Sequence, residues 1–230
     1  MRRVVILANS HKLQGRCVAG IDVATRSWVR PLGSLQGGAL SSLECIADSD
    51  DGPMEVSPGD VVAIGDGTSS ASQHHPEDIT GTWPWRIVGR MSPLVIEREL
   101  RDLIALEAPL LGLPARDLPL AQLALREGGA SLQLARCSTV GLYWRDRPGQ
   151  ARQLRARVRL IDTEEDLALT DPWIETKMAR RQQSRLDRCL LSVSLSEPYE
   201  RKDGQLWCSK LIAAAIPLRE SGGVPGAPPG

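Results

Sequence analysis

The sequence predicts a mostly β protein with some α, organised as two small, partly open β-barrels joined by a helical segment. Three observations predict it. Short runs of Val, Ile, Leu and Ala alternate with Gly and Pro punctuation through the first ninety residues. The middle of the chain turns helical, and strand patterns resume near residue 131. At 230 residues the chain holds one large domain or two small ones. The strands lack the long alternating helices of a doubly wound sheet or an α/β barrel.

In chain order, strands are expected at 2–8, 16–24, 27–31, 60–65 and 84–90, with polar loops at 47–59 and 66–82. The run Val4-Val5-Ile6-Leu7-Ala8 stops at Asn9-Ser10-His11, too soon for a signal peptide, so it reads as a first strand in a cytoplasmic protein. Ser92-Pro93 is a helix opening, serine as cap and proline at the first position. Ile96, Leu100, Leu103 and Ile104 follow at helical spacing, and Gly112 and Pro114 end the helix. Asp117 is expected to cap a shorter helix reaching about Arg126. A strand at 152–162 alternates Ala156, Val158 and Leu160 with Arg155, Arg157 and Arg159, and 166–170 returns. Residues 174–188 read as a polar helix. Leu191, Val193 and Leu195 alternate with Ser192, Ser194 and Ser196 in another strand. Segment 206–216 is strand or helix, the Ala213–Ala215 run leaving both open. The expected divisions are a first barrel at 1–92, a helical connector at 93–129, a second barrel at 130–218 and a disordered tail at 219–230. Five strands in about 100 residues is the size of an oligonucleotide-binding (OB) barrel, and two fill this length.

Charge narrows the function. Lys+Arg and Asp+Glu are both 28, which speaks against retention on nucleic acid by bulk charge alone. The charge is nevertheless blocked. Residues 43–60 carry six acids and no base; 145–159 carry six arginines against Asp146. Three arginines two apart on a strand lie roughly 7 Å from one another, near the phosphate spacing of a stretched single strand. Two readings of Arg155, Arg157 and Arg159 stand: a phosphate-binding face, or a face paired with Glu164, Glu165 and Asp166 across the turn. Trp28 and Trp85 lie near Arg30, Arg86 and Arg90; such tryptophans either stack on bases or fill cores that have no Phe.

No nucleophile elbow, zinc-protease helix, phosphate loop or dinucleotide fingerprint occurs, so no enzyme is expected. His74-His75-Pro76-Glu77-Asp78 is the densest polar patch, but adjacent histidines on an extended chain point to opposite sides and make a poor metal pair. No cofactor, metal or membrane contact is expected. The five cysteines read as reduced core residues, with Cys17 beside Arg16 the one that could be reactive.

Several strings resemble the bacterial dual OB-containing domain family. They are Ile6-Leu7-Ala8-Asn9-Ser10, Gly15-Arg16-Cys17-Val18-Ala19-Gly20, Trp28-Val29-Arg30-Pro31, the His74–Asp78 loop and Trp85-Arg86-Ile87-Val88-Gly89-Arg90. Leu169-Thr170-Asp171-Pro172, Leu191–Pro198 and Lys210-Leu211-Ile212-Ala213-Ala214 continue the likeness, which spans about 3–217. The resemblance implies two tandem OB folds without a catalytic centre, and nucleic-acid binding beside a nuclease or NTPase in a bacterial defence system. Its matching blocks carry Arg16, Trp28, Arg30, His75, Trp85, Arg86, Thr170, Asp171 and Lys210 as candidates. Where the family's loop block is usually followed by Asn, this chain has Asp78, an acid that would repel phosphate. The leading expectation is therefore a non-enzymatic module for single-stranded or structured RNA or DNA. The alternatives are a protein-interaction or regulatory module and a sensor of a small ligand such as a nucleotide.

Overall fold

Val4-Val5-Ile6-Leu7-Ala8 shows no polar alternation because the strand it forms is covered on both faces. Side chains alternate across a strand. In the computed structural model, β1 (Arg2–Lys12) sends Val4 and Ile6 into a first barrel and Val5 and Leu7 against a second. The structure describes residues 1–70, 74–107, 109–124, 129–161, 163–180 and 184–218. The expected tail at 219–230 lies outside them.

In the first barrel, β1, β2 (Gly15–Asp22) and β3 (Trp28–Pro31) form an antiparallel meander. β4 (Asp60–Ile64) returns beside β1. Beyond it lie β5 (Thr68–Ser69), β6 (Asp78–Thr80) and β7 (Arg86–Arg90). β6 runs parallel to β3 while β7 pairs with β4, so the two segments divide the work of one closing strand. Between them, Trp85 turns into the core with Trp83 packed against it. The polar loop expected at 47–59 contains a small hairpin, Ile46–Ala47 with Met54–Glu55; Cys45, Ala47 and Val56 reach the core from it.

The connector is built into the second barrel. α1 (Pro93–Glu99) opens as the sequence predicts, with the Val95 amide donating to Ser92 Oγ. It ends at Leu100, well before Gly112. β8 (Ile104–Ala105) follows, then β9 (Asp117–Pro119) and α2 (Leu120–Ala124). Asp117 is therefore a strand residue rather than a helix cap, and it pairs in register with Ser209. Leu110, Leu111, Leu113, Leu118 and Leu123 all join the second barrel's core, so tertiary burial overrides the local helical spacing.

The second barrel is a closed five-stranded Greek key. β10 (Leu132–Arg147), β11 (Gln150–Arg159) and β12 (Glu164–Leu169) form a meander. α3 (Pro172–Ala179) crosses to β13 (Arg185–Leu195), which pairs with β10. The expected helix at 174–188 is thus half its length, its last residues belonging to β13. After β14 (Tyr199–Glu200), β15 (Leu206–Pro217) pairs antiparallel with β13 and parallel with β12, closing the ring. Segment 206–216 is strand.

The barrels meet along an apolar seam. Val5, Leu7 and Ile21 pack on Leu134, Leu190 and Ile216; Ala8 and Ala19 pack on Leu132, Ala213 and Ala214. Small alanines let the two sheets approach. Ser192 and Ser194, the polar side of an alternating strand, are buried here, and Ser192 Oγ donates to the Leu7 carbonyl at 2.7 Å. The His11 amide donates to the Thr170 carbonyl at 2.8 Å.

Candidate nucleic-acid interface

Three of the first barrel's candidate residues, Trp28, Arg30 and His75, are occupied at the seam. Arg30 is 2% exposed, and its Nε donates to the Asp78 carboxylate. Asp78 thus neutralises a buried guanidinium, which accounts for an acid at the position where phosphate contact was doubtful. The neighbouring Glu77 carboxylate crosses to the second barrel. It accepts from the Ser131 amide (2.7 Å), the Leu132 amide (3.2 Å) and Ser131 Oγ (2.8 Å). His75, 1% exposed, places Nδ1 at 3.0 Å from the same Ser131 oxygen. Because that hydroxyl donates to Glu77, it accepts from His75, which puts the ring proton on Nδ1. Nε2 lies 3.6 Å from Glu197 Oε1, an oxygen that also faces Lys12 Nζ at 2.8 Å. Burial, reinforced by the Arg30 charge, pushes the His75 pKa down to about 2 and keeps the ring neutral.

His74 and His75 do come together, their ring centroids 4.8 Å apart, against the expectation of opposite sides. With Glu197 they place three ligand-type atoms within 4.8 Å of one another. Lys12 and Arg30 already bring positive charge to that carboxylate, at 2.8 and 3.9 Å. A divalent cation would be repelled by both, so the cluster reads as a lock between barrels. Three of the cysteines are poor nucleophiles: burial raises the Cys17 thiol, pushes Cys45 up to about 12 and Cys208 to about 11.

Other candidates are also structural. Trp85 is buried and donates from Nε1 to Thr82 Oγ1 at 3.0 Å; half-buried Trp28 packs into the seam. Arg16 faces Glu55 at 3.3 Å and His11 Nδ1 at 3.2 Å. Lys210 is 1% exposed, with Nζ 2.6 Å from Glu165 Oε2 and donating to the Leu113 carbonyl at 2.9 Å, which pins the connector. Asp171 caps α3, accepting from the Trp173 and Ile174 amides, and also accepts from the Ala215 amide across the barrel. Thr170 Oγ1 donates to the Ile212 carbonyl. Arg86 and Arg90 are exposed on β7 but face Asp50 and Asp60.

Among the described residues, the outer face of β10 and β11 remains open. On β10 and β11, Val140, Leu142, Leu154, Ala156 and Val158 fill the second barrel, so Gly141, Tyr143, Arg155, Arg157 and Arg159 point outward. The three arginines share a face as predicted, yet they divide. Arg155 is 3% exposed and bound by Asp166, at 3.1 Å from Nε and 3.0 Å from Nη2. Arg157 and Arg159 are exposed, and among the described residues neither forms an ion pair with a carboxylate. The Arg157 guanidinium lies 4.9 Å from the Tyr143 ring centre, and Arg152 lies 5.0 Å from Trp144. Exposed Arg145 extends the basic end of this hairpin. On the far side stands β12, whose Glu164 and Asp166 are exposed.

A family model for the dual OB-containing domain matches residues 2–215. The chain belongs to the dual OB-containing domain family. No curated protein and no solved structure gives a significant match. Membership in this family fits a binding module of the OB kind, a fold that takes nucleic acids or proteins. Among the described residues no helix is long and apolar enough to cross a membrane.

In this dual OB protein, the equivalent outer face of the first barrel is spent on the seam, where Ala19, Ile21 and Trp28 pack. The blocks that carry the family likeness map largely to that junction. The sequence places Arg185 in the expected polar helix at 174–188 and gives Gly141 no role. The signal was present in Val140-Gly141-Leu142-Tyr143, where alternation sends glycine and tyrosine outward together.

Proposed function

We propose that the protein is a non-enzymatic module that binds single-stranded nucleic acid on the outer face of the second barrel. The observation that carries this reading is the Arg157–Tyr143 pair with Arg159 beside it, on a barrel face that the seam leaves open. Arginine forks suit phosphate oxygens, and an arginine-backed aromatic ring suits a base. A single strand is favoured over duplex because Glu164 and Asp166 line the next strand. A second phosphate backbone laid there would meet carboxylates. A place beside a nuclease or NTPase in a bacterial defence system enters the proposal through the family resemblance alone.

The test is charge reversal. Arg157→Glu with Arg159→Glu should weaken binding of a labelled single-stranded oligonucleotide by at least tenfold. Removing two phosphate contacts should also flatten the slope of log K against log salt by about 1.4. Unchanged affinity and slope in a folded variant would refute the reading. Exposed Leu13, Leu35 and Leu43 on the first barrel favour a second reading, a protein partner. Recovery of a specific protein that Leu43→Asp releases, together with no nucleic-acid binding, would support it.

A further inference from the structure

Cys137 and Cys189 face each other across the ladder of β10 and β13. They are partners in its antiparallel register, and both side chains lie in the second barrel's core, 3% and 0% exposed. Directly opposite residues of an antiparallel pair have Cα atoms about 4.5–5.5 Å apart, inside the roughly 4.4–6.8 Å that a disulfide spans. The reduced thiols are already in hydrogen-bond contact. The Cys137 thiol donates to the Cys189 carbonyl at 3.7 Å, and the Cys189 thiol donates to the Cys137 sulfur. The bond from the Cys189 thiol lowers the Cys137 thiol from its ordinary value, with burial opposing. Cys17, Cys45 and Cys208 are shifted the other way.

The ladder is interrupted beside this pair. Its register runs from Leu132 to Cys137 and resumes at Thr139, skipping Ser138 and Arg188. Arg188 takes a left-handed φ of 50°, and its carbonyl accepts from the Leu218 amide at 2.7 Å instead. The inward-facing residues of β10 accordingly change from Ala135 and Cys137 to Val140 and Leu142. Ser138 and Arg188 are exposed, so each cysteine lies one residue from the surface at a break in the pairing. We propose that Cys137 and Cys189 are a site of reversible oxidation, where a hydroperoxide joins β10 to β13 through a disulfide. Local opening at the break admits the oxidant without unfolding the barrel. The Cys137 thiolate attacks a peroxide oxygen, the O–O bond breaks, and a sulfenic acid and hydroxide form. The hydroxide takes up the proton that the thiol released. The Cys189 sulfur then displaces the sulfenic hydroxyl, which leaves as water with the Cys189 proton. Two thiols thus lose two electrons and two protons, and one hydrogen peroxide becomes two waters. A dithiol reductant reverses the bond by thiol exchange. The bond lies inside the barrel, so the proposal is independent of the nucleic-acid reading.

Peptide mapping of the wild-type protein tests it. Each of the two cysteines follows an arginine, so tryptic peptides 137–145 and 189–201 begin with them. The folded full-length protein is treated with hydrogen peroxide, its remaining thiols are alkylated in denaturant, and the chain is digested. The expected result is that the two peptides are joined in most chains and separate again after dithiothreitol. Joining should be lost in Cys189→Ala, whose Cys137 can form the sulfenic acid but not the bond. If both cysteines of the treated wild type are alkylated as in the untreated protein, the proposal is overturned. It is equally overturned if either cysteine pairs with another, if both pass to acids that dithiothreitol does not restore, or if the two join only when peroxide is added to the urea-unfolded chain.

Discussion

Arg30 and His75 show how polar residues inside a protein take their roles from their neighbours. A guanidinium at 2% exposure is tolerable only with a carboxylate on it, and Asp78 supplies that. Arg30→Met should leave Asp78 buried and uncompensated and cost about 3–5 kcal/mol, measured by urea unfolding. His75 adds a pH dependence of definite sign. Its folded pKa is near 2 against 6.5 for an ordinary histidine. Below pH 6.5 the unfolded chain takes up a proton that the folded protein refuses, so stability falls as pH drops from 6.5 towards 2. At pH 5 the loss from this one group is about 2 kcal/mol relative to pH 7. Arg30, Lys12 and His74 surround the ring and share in that effect, with Glu197 opposing them. The variant His75→Gln should therefore be less sensitive than wild type between pH 7 and pH 5; an equal slope would exclude the buried neutral ring. None of this was legible in the sequence, where Arg30 near Trp28 and His75 in a polar loop stand as candidate ligand contacts. Only the fold shows that these blocks face the other barrel.

The elements were legible to different degrees, for physical reasons. β1, β4 and the Ser92-Pro93 helix start came through because an apolar run or a cap marks each locally. β15 stayed ambiguous because strands covered on both faces lose the period of two, and Ala213-Ala214-Ala215 carries no strand propensity of its own. The 109–119 segment was misread because its leucines serve the second barrel's floor, not a helix face. Lys210 is what holds that segment, through Glu165 and the Leu113 carbonyl. Lys210→Met should raise hydrogen-exchange rates of the 110–113 amides by tenfold or more while leaving those of β1 unchanged. At α3, Asp171→Ala removes a cap and orphans the Ala215 amide. A loss of about 2 kcal/mol is expected, seen as a lower urea midpoint at constant slope.

At the scale of the whole molecule, the seam makes two barrels into one unit and leaves the basic face of β10 and β11 open. Its apolar residues come from β1 and β2 on one side and from β10, β13 and β15 on the other. Leu134→Ala should cost about 2–5 kcal/mol and lower both barrels together in a single calorimetric transition. Two separated transitions would show that the barrels fold independently. The two-barrel plan itself was legible, from strand number, spacing and the family likeness; the burial of the first barrel's outer face was not, because it depends on contacts between residues far apart in sequence. That burial is why the second barrel carries the proposed function. The most direct test of it is fluorescence anisotropy of labelled single strand and duplex with the intact protein, at 50 and 200 mM salt. A face engaging three or four phosphates predicts single-strand binding that weakens roughly 20- to 50-fold between these conditions, with duplex bound more weakly throughout. Affinity for the single strand that is absent, or indifferent to salt, would contradict the account.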